Sequence, residues 1–167
     1  MEIDHLSFVI DHFRIKRSET KKIALELSKT GQQERVKGLI EVSGGDVVNL
    51  TLDAKMTAPR TGFCAEIYVI ASDSAKVNID ANILVGRLAL ESNASLLVKT
   101  LILGGTPGIT VLPKMEVLNK ESKAVHGVST MRLTKESLFY AESRGLDEVV
   151  VKKLLVDNVK TLFDKPE

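Results

Sequence analysis

The chain has 167 residues, 44% of them hydrophobic and 27% charged, with a formal net charge of +1. That balance suits one folded domain with a real core and excludes a disordered segment, and the apolar runs are far too short for a membrane-spanning helix. Charges of both signs are interspersed, and five Phe, two Tyr and no Trp leave neither a cationic footprint nor a stacking surface for nucleic acid.

The first residues, Met1-Glu-Ile-Asp-His5, are acidic and lack a basic region followed by an apolar run, so no signal peptide is expected and a cytoplasmic location is. Leu6, Phe8, Ile10 and Phe13 with polar neighbours predict a first strand, ended by the charged turn at residues 16–20. Over residues 21–29, Ile23, Leu25 and Leu27 alternate as in a strand, although Ile23 and Leu27 also sit one helical turn apart; the strand reading is preferred. Residues 36–42 form the next strand, Ser43-Gly-Gly-Asp46 turns, and Val48, Leu50, Leu52, Ala54 and Met56 alternate strictly. After the break at Pro59-Arg-Thr-Gly62 comes a β-rich run at residues 63–71. Its Cys64 is the only cysteine, which rules out an intrachain disulfide or a multi-cysteine metal site, and between Phe63 and Ala65 it reads as a buried, inert thiol.

Beyond the turn Ser72-Asp-Ser74, the alternation resumes at Val77, Ile79, Ala81 and Ile83, and Leu88, Leu90 and residues 96–103 continue it. Turn clusters near positions 30, 44, 60 and 73 therefore recur at roughly regular intervals, as in an all-β body of many short strands. This pattern alone suits a sandwich or barrel, with no exact repeat to mark a solenoid. Gly104-Gly-Thr-Pro-Gly108 lacks the Gly-Lys-Ser/Thr ending of a phosphate loop and reads as a turn. Residues 114–128 read as two short strands around the turn Asn119-Lys-Glu-Ser122. After Met131 the period becomes helical: Thr134 and Asp147 are suited to cap helices over residues 134–144 and about 148–163, and Gly145 supplies the left-handed turn between them. Val151, Leu154, Leu155, Val159, Leu162 and Phe163 form the second helix's apolar stripe, with Lys152, Lys153 and Lys160 mostly outward.

Four short motifs in order, Pro113-Lys-Met-Glu-Val117, Ala124-Val-His-Gly-Val-Ser129, Leu138-Phe-Tyr140 and Ser143-Arg-Gly-Leu146, resemble the carboxy-terminal part of the SufB/SufD family of iron–sulfur cluster assembly scaffolds. The likeness extends back through Val85-Gly-Arg-Leu-Ala-Leu90 and Ser95-Leu-Leu-Val98 to about Ala75. The resemblance implies a right-handed parallel β-helix body (residues 1–130) followed by a two-helix tail (131–167) as one structural unit, the first strands or the tail covering one end. It implies a non-enzymatic scaffold or accessory subunit of the SUF system, dimerising with its own kind or with a SufB-like partner.

His126 matches the histidine of the family's His-Gly motif, so the resemblance implies a metal ligand for a transient iron–sulfur cluster at a subunit interface. The bland alternative is a half-buried histidine hydrogen-bonded to the neighbouring rung. The SufB branch carries a cysteine a few residues before the proline and a glutamate after the histidine; here those places hold Gly108 and Gly127. The chain is thus more SufD-like, and alone it is not expected to hold a stable cluster. Phe139, Tyr140, Arg144 and Gly145 match the tail motif, which implies docking to a SufC-like ABC-type ATPase, against a reading in which they pin the helices to the body. Two other readings are a structural relative without cluster chemistry and a carbohydrate-active β-helix enzyme. The latter needs grouped carboxylates, whereas Asp46, Asp53, Asp73 and Asp80 are spread over turns and strands.

Overall fold

Nine strands and two helices make up residues 8–165, the part of the chain described by the computed structural model. The strands are β1 (Phe8–Ile15), β2 (Glu19–Leu27), β3 (Gln33–Val42), β4 (Val47–Met56), β5 (Gly62–Ala71), β6 (Lys76–Val85), β7 (Asn93–Ile102), β8 (Gly108–Val117) and β9 (Lys123–Arg132). Each pairs in parallel with the strand two places on, giving one sheet in the order β1-β3-β5-β7-β9 and a second in the order β2-β4-β6-β8. Gln33 lies beside Gly62, Gly62 beside Asn93 and Asn93 beside Lys123. The chain therefore winds as a parallel β-helix of about four turns. This settles the choice that alternation left open between sandwich, barrel and solenoid.

Because side chains on a strand alternate, one row of each strand faces the space between the sheets. Leu50, Leu52, Ala54 and Met56 on β4 and Val77, Ile79, Ala81 and Ile83 on β6 are all at most 3% exposed and belong to one continuous core. Where a large residue enters a narrow place, its neighbour is small: the Phe13 ring covers Gly38, and a Cβ there would lie 2.3 Å from Phe13 Cζ.

The corners explain the evenly spaced turn clusters. One corner is turned by Gly31, Arg60 and Glu91 and the other by Gly44, Asp73 and Gly105, all with positive φ. Successive corners bond to one another, Arg60 N–H to Leu90 O at 2.8 Å and Thr106 N–H to Asp73 O at 2.7 Å. At the first corner Thr61 and Ser92 also join hydroxyls at 2.9 Å, and Ser122 Oγ accepts from Ser92 N–H at 2.9 Å. Leu88 and Leu90 lie in this corner rather than on a strand; only Ala89 between them is buried, and Leu88 is 75% exposed.

The tail consists of α1 (Lys135–Ser143) and α2 (Glu148–Asp164). Thr134 and Asp147 cap them as foreseen, their side-chain oxygens accepting from Ser137 N–H and Val150 N–H, and Gly145 turns the chain at φ +84°. Helix α2 lies along the outer face of the five-stranded sheet, so the tail covers a side of the β-helix and not an end. Phe163 is its anchor, 4% exposed and clustered with Leu39, Tyr68, Ile70 and Leu101. The Arg14 guanidinium stacks 4.9 Å from its ring centroid, and Arg14 pairs with Asp164. Burial, followed by the charge of Glu66, pushes the Tyr68 phenol up to about 12, and the hydroxyl donates to Glu66 Oε2. Two details of the foreseen stripe differ: Leu154 is 55% exposed, while Lys160 turns toward the sheet and pairs with Glu41 at 3.0 Å. Among the described residues no helix is long and apolar enough to cross a membrane.

Candidate functional site: the open last turn and the tail

The inner rows of the β-helix change character at its last turn. Ala65, Leu96 and His126 are in register, as are Val69, Thr100 and Thr130, and Ala71, Ile102 and Arg132, so three ladders that are aliphatic on β5 end in polar residues on β9. The opposite wall, β8, places Ile109, Val111, Pro113 and Met115 in line with the inner row of β6. No further turn follows among the described residues, and this row is half-buried instead of sealed. Between the walls is an open hollow of about 610 Å³ lined on one side by Ile109, Val111 and Pro113 and on the other by His126, Thr130 and Arg132, whose guanidinium donates to Gly105 O at 3.2 Å.

His126 is thus an inner-row residue that is nonetheless exposed, a combination available only at the end of the β-helix. Its imidazole has no hydrogen-bond partner among the described residues. The half-buried, hydrogen-bonded reading is therefore corrected: the rung that would bury it is missing on one side. Gly127 points outward beside Leu97, and Gly108 starts β8 at the far corner. His5 lies outside the described residues. Among the described residues no three His, Cys, Asp or Glu side chains converge to hold a metal ion.

The second foreseen group sits on the tail. Phe139 is 74% and Tyr140 62% exposed, α1 buries no residue, and the Arg144 guanidinium stacks 5.4 Å from the Tyr140 centroid. They do not pin the tail to the body; Phe163, which the sequence offered only as one of a stripe, does that. Beside them Leu146, Val149 and Val150 are also exposed, at 39%, 75% and 40%. Sequence reading missed these three, although Val149, in the first turn after the Asp147 cap, falls outside the buried stripe. In the first turn of α1 a bond from its own backbone N–H, and then one from the Thr134 hydroxyl, holds the Glu136 carboxyl below its ordinary range.

Cys64 corrects the expectation of a buried thiol. Phe63 and Ala65 take the inner positions, so Cys64 faces outward, half-buried between Arg35 and Ser95. On the outer face of the four-stranded sheet carboxylates are matched to neighbouring rungs: Asp53 accepts from Asn82 at 2.7 Å and pairs with Lys22, and Asp80 pairs with Lys114. The Asn82 bond holds Asp53 below its ordinary range.

Comparison with known proteins bears on the same region. A family profile described as SUF system FeS cluster assembly, SufBD core domain, matches residues 15–159. Among curated proteins the chain is similar to protein ABCI7, chloroplastic, of Arabidopsis thaliana, with 27% identity over 90 residues, 54% of this chain and 19% of that protein. It is 28% identical over 88 residues to the iron–sulfur cluster assembly SufBD family protein slr0076 of Synechocystis, covering 53% of this chain and 19% of the relative. To the iron–sulfur cluster assembly protein SufD of Escherichia coli it is 24% identical over 98 residues, 57% of this chain and 23% of SufD. The chain spans about a fifth of the length of the curated relatives it matches.

Proposed function

Since this chain belongs to the SufB/SufD family, its SufBD core domain running through residues 15–159, we propose that it serves SUF-type iron–sulfur cluster assembly as a non-enzymatic scaffold or accessory subunit. The observation that carries this reading is the uncovered last turn, where His126 occupies an inner-row position and is still exposed. A neutral imidazole is a competent iron ligand, and one ligand from each of two chains suits a cluster that is held briefly and passed on. Three convergent ligands do not occur within the described part of one chain, so a cluster reaching His126 as cargo is completed from a second subunit. That subunit is a second copy of this chain or a SufB-like partner, joined through the last strands.

The tail supplies the other half of the reading. Phe139, Tyr140 and the stacked Arg144, with Gly145 shaping the turn that presents them, form an exposed aromatic and cationic group of the kind that anchors protein interfaces. We assign it the docking of a SufC-like ABC-type ATPase. The test is reconstitution of the protein with a SufC-like ABC-type ATPase, ferrous iron and sulfide. His126→Ala is expected to lower cluster loading with ATPase binding unchanged. Tyr140→Ala and Arg144→Ala are each expected to weaken ATPase binding by about 1 to 2 kcal/mol with the melting temperature unchanged. Unchanged loading in His126→Ala together with unchanged binding in the tail variants would overturn the reading.

A further inference from the structure

We propose that the groove between α2 and the outer face of β7 and β9 binds a small amphipathic monocarboxylate, an acyl chain of about ten non-hydrogen atoms with its carboxylate on Lys99. This site lies apart from the open last turn and does not rest on the assembly reading above.

Helix α2 covers the five-stranded sheet unevenly. It packs on β3, β5 and β7, and Phe163 is buried against Leu39, Tyr68, Ile70 and Leu101. Toward β9 the cover thins. Leu155 and Val159 are only partly buried, and Met131 on β9 is 60% exposed. The space between them is a groove of about 310 Å³. Its floor comes from two outer rows, in which Lys99 lies beside Ser129 and Leu101 beside Met131. Its wall is the flank of α2 that carries Leu155, Asn158 and Val159. Apolar surface left in water drives association, and the polar groups beside it decide what associates.

Those polar groups are unusual for this seam of helix and sheet, where cations otherwise have polar partners. Arg14 pairs with Asp164, Lys160 pairs with Glu41, and Lys37 Nζ donates to Lys165 O. Lys99 has no hydrogen bond or ion pair among the described residues; its ammonium stands 5.4 Å from the centroid of the Tyr68 ring. No Asp or Glu lines the groove, and Glu66, two residues before Tyr68 on β5, is engaged by the Tyr68 hydroxyl. Ser129 and Asn158 add a hydroxyl and an amide to the same lining.

One cation without a counter-charge in an otherwise neutral, largely apolar lining suits a ligand that carries one negative charge. The volume sets the length. At ~30 Å³ for each water-sized share of liquid volume, the groove holds about ten non-hydrogen atoms, the size of octanoate. Its carboxylate accepts from Lys99, Ser129 and Asn158, and its chain covers Leu101, Met131 and Leu155. An occupant held by β9 on one side and α2 on the other fastens the tail to the body, so binding raises the melting temperature.

The experiment is titration of the full chain with sodium octanoate, followed by calorimetry and by backbone amide NMR, with octylamine as the cationic control of equal chain length. Octanoate is expected to saturate one site with a dissociation constant on the order of 0.1 mM. It is expected to move the amides of residues 99–101, 129–131 and 155–159, whereas octylamine leaves them unmoved. Lys99→Gln keeps the stem and removes the charge; Asn158→Asp puts a carboxylate into the wall at an exposed helix position. Each is expected to weaken octanoate about tenfold with the melting temperature of the free protein unchanged. Octylamine binding as well as octanoate shows a groove that selects apolar bulk alone, and overturns the assignment. So does octanoate binding that never saturates, an affinity unchanged in both variants, or amide shifts at Ile109 and Val111 in the last-turn hollow in place of the groove.

Discussion

Strands β4 and β8 belong to the same sheet, have the same length and alternate in the same phase, yet their inner rows meet different surroundings. On β4, Leu50, Leu52, Ala54 and Met56 are at most 3% exposed. On β8, Ile109, Val111 and Met115 are only half-buried, and the outward Leu112 is 51% exposed. In a stacked coil each turn is closed by the next, so burial is decided by what lies above and below a strand rather than by its own pattern. A turn left without a neighbour is a surface made of core residues. In this chain that surface carries His126.

The largest expected effect sharpens this contrast. Leu52→Ala opens a cavity in a row sealed on both sides and should cost about 2 to 5 kcal/mol, whereas Val128→Ala, a truncation on the same kind of row at the open end, should cost less than about 1 kcal/mol. Urea unfolding of the monomer measures both, and equal losses would mean that the last turn is sealed. The tail repeats the contrast with two phenylalanines. Phe163→Ala should cost about 3 kcal/mol and free α2 from the sheet, while Phe139→Ala should change stability by less than about 0.5 kcal/mol. Loss of the Tyr68 contact to Phe163, whose rings lie 6.3 Å apart edge to face, gives the first variant a fluorescence signature as well.

Much of this was legible in the sequence and some was not, for reasons that lie in the corners. Alternation gave the strands, and the cap and stop residues Thr134, Gly145 and Asp147 gave the helices, because each is a local device. The repeat stayed hidden because its corners are turned by unlike residues. Arg60 and Glu91 hold the same left-handed turn as Gly31, supported by bonds from the neighbouring corner that sequence does not display. The outward position of Cys64 was implicit in the inward pull of Phe63 and Ala65. For β9 the pattern was ambiguous, since Val125 and Val128 cannot share a face and only the register with Leu96 shows that His126 takes the inner row. The family motifs marked His126, Phe139, Tyr140 and Arg144; that the first stands at an uncovered end, and that the aromatic pair touches no core, required the fold.

Smaller effects test the corners and the outer face. Gly105→Ala puts a Cβ 2.4 Å from Asp73 Cα at a positive φ, so backbone must move, and about 1 to 3 kcal/mol should be lost. Gly45→Ala, with nothing within 4 Å, should be neutral within about 0.5 kcal/mol. Thermal melts of the pair separate strain between turns from generic loop stiffness. The smallest effect belongs to Asp53, whose carboxyl is held below its ordinary range, first by the Asn82 bond. A depressed folded value means its contribution is complete above the unfolded pKa of about 3.9 and is lost as pH falls through the folded value. Asn82→Ala should move the Asp53 titration, followed by NMR, back upward; an unmoved titration would assign the depression to Lys22 instead.

The contrast between sealed and open turns is tested most directly by amide hydrogen exchange, residue by residue, along β4, β8 and β9 at low and high protein concentration. The β4 amides should be protected throughout. On β9 of the dilute protein, the amides of residues 125, 127, 129 and 131, bonded to β7, should exchange slowly, and those of Ala124, His126, Val128, Thr130 and Arg132 quickly. Raising the concentration should slow these five, as joining through the last strands requires. Uniform slow exchange on β9 at the lowest concentration, or fast exchange at the five edge positions that no concentration slows, would contradict the account.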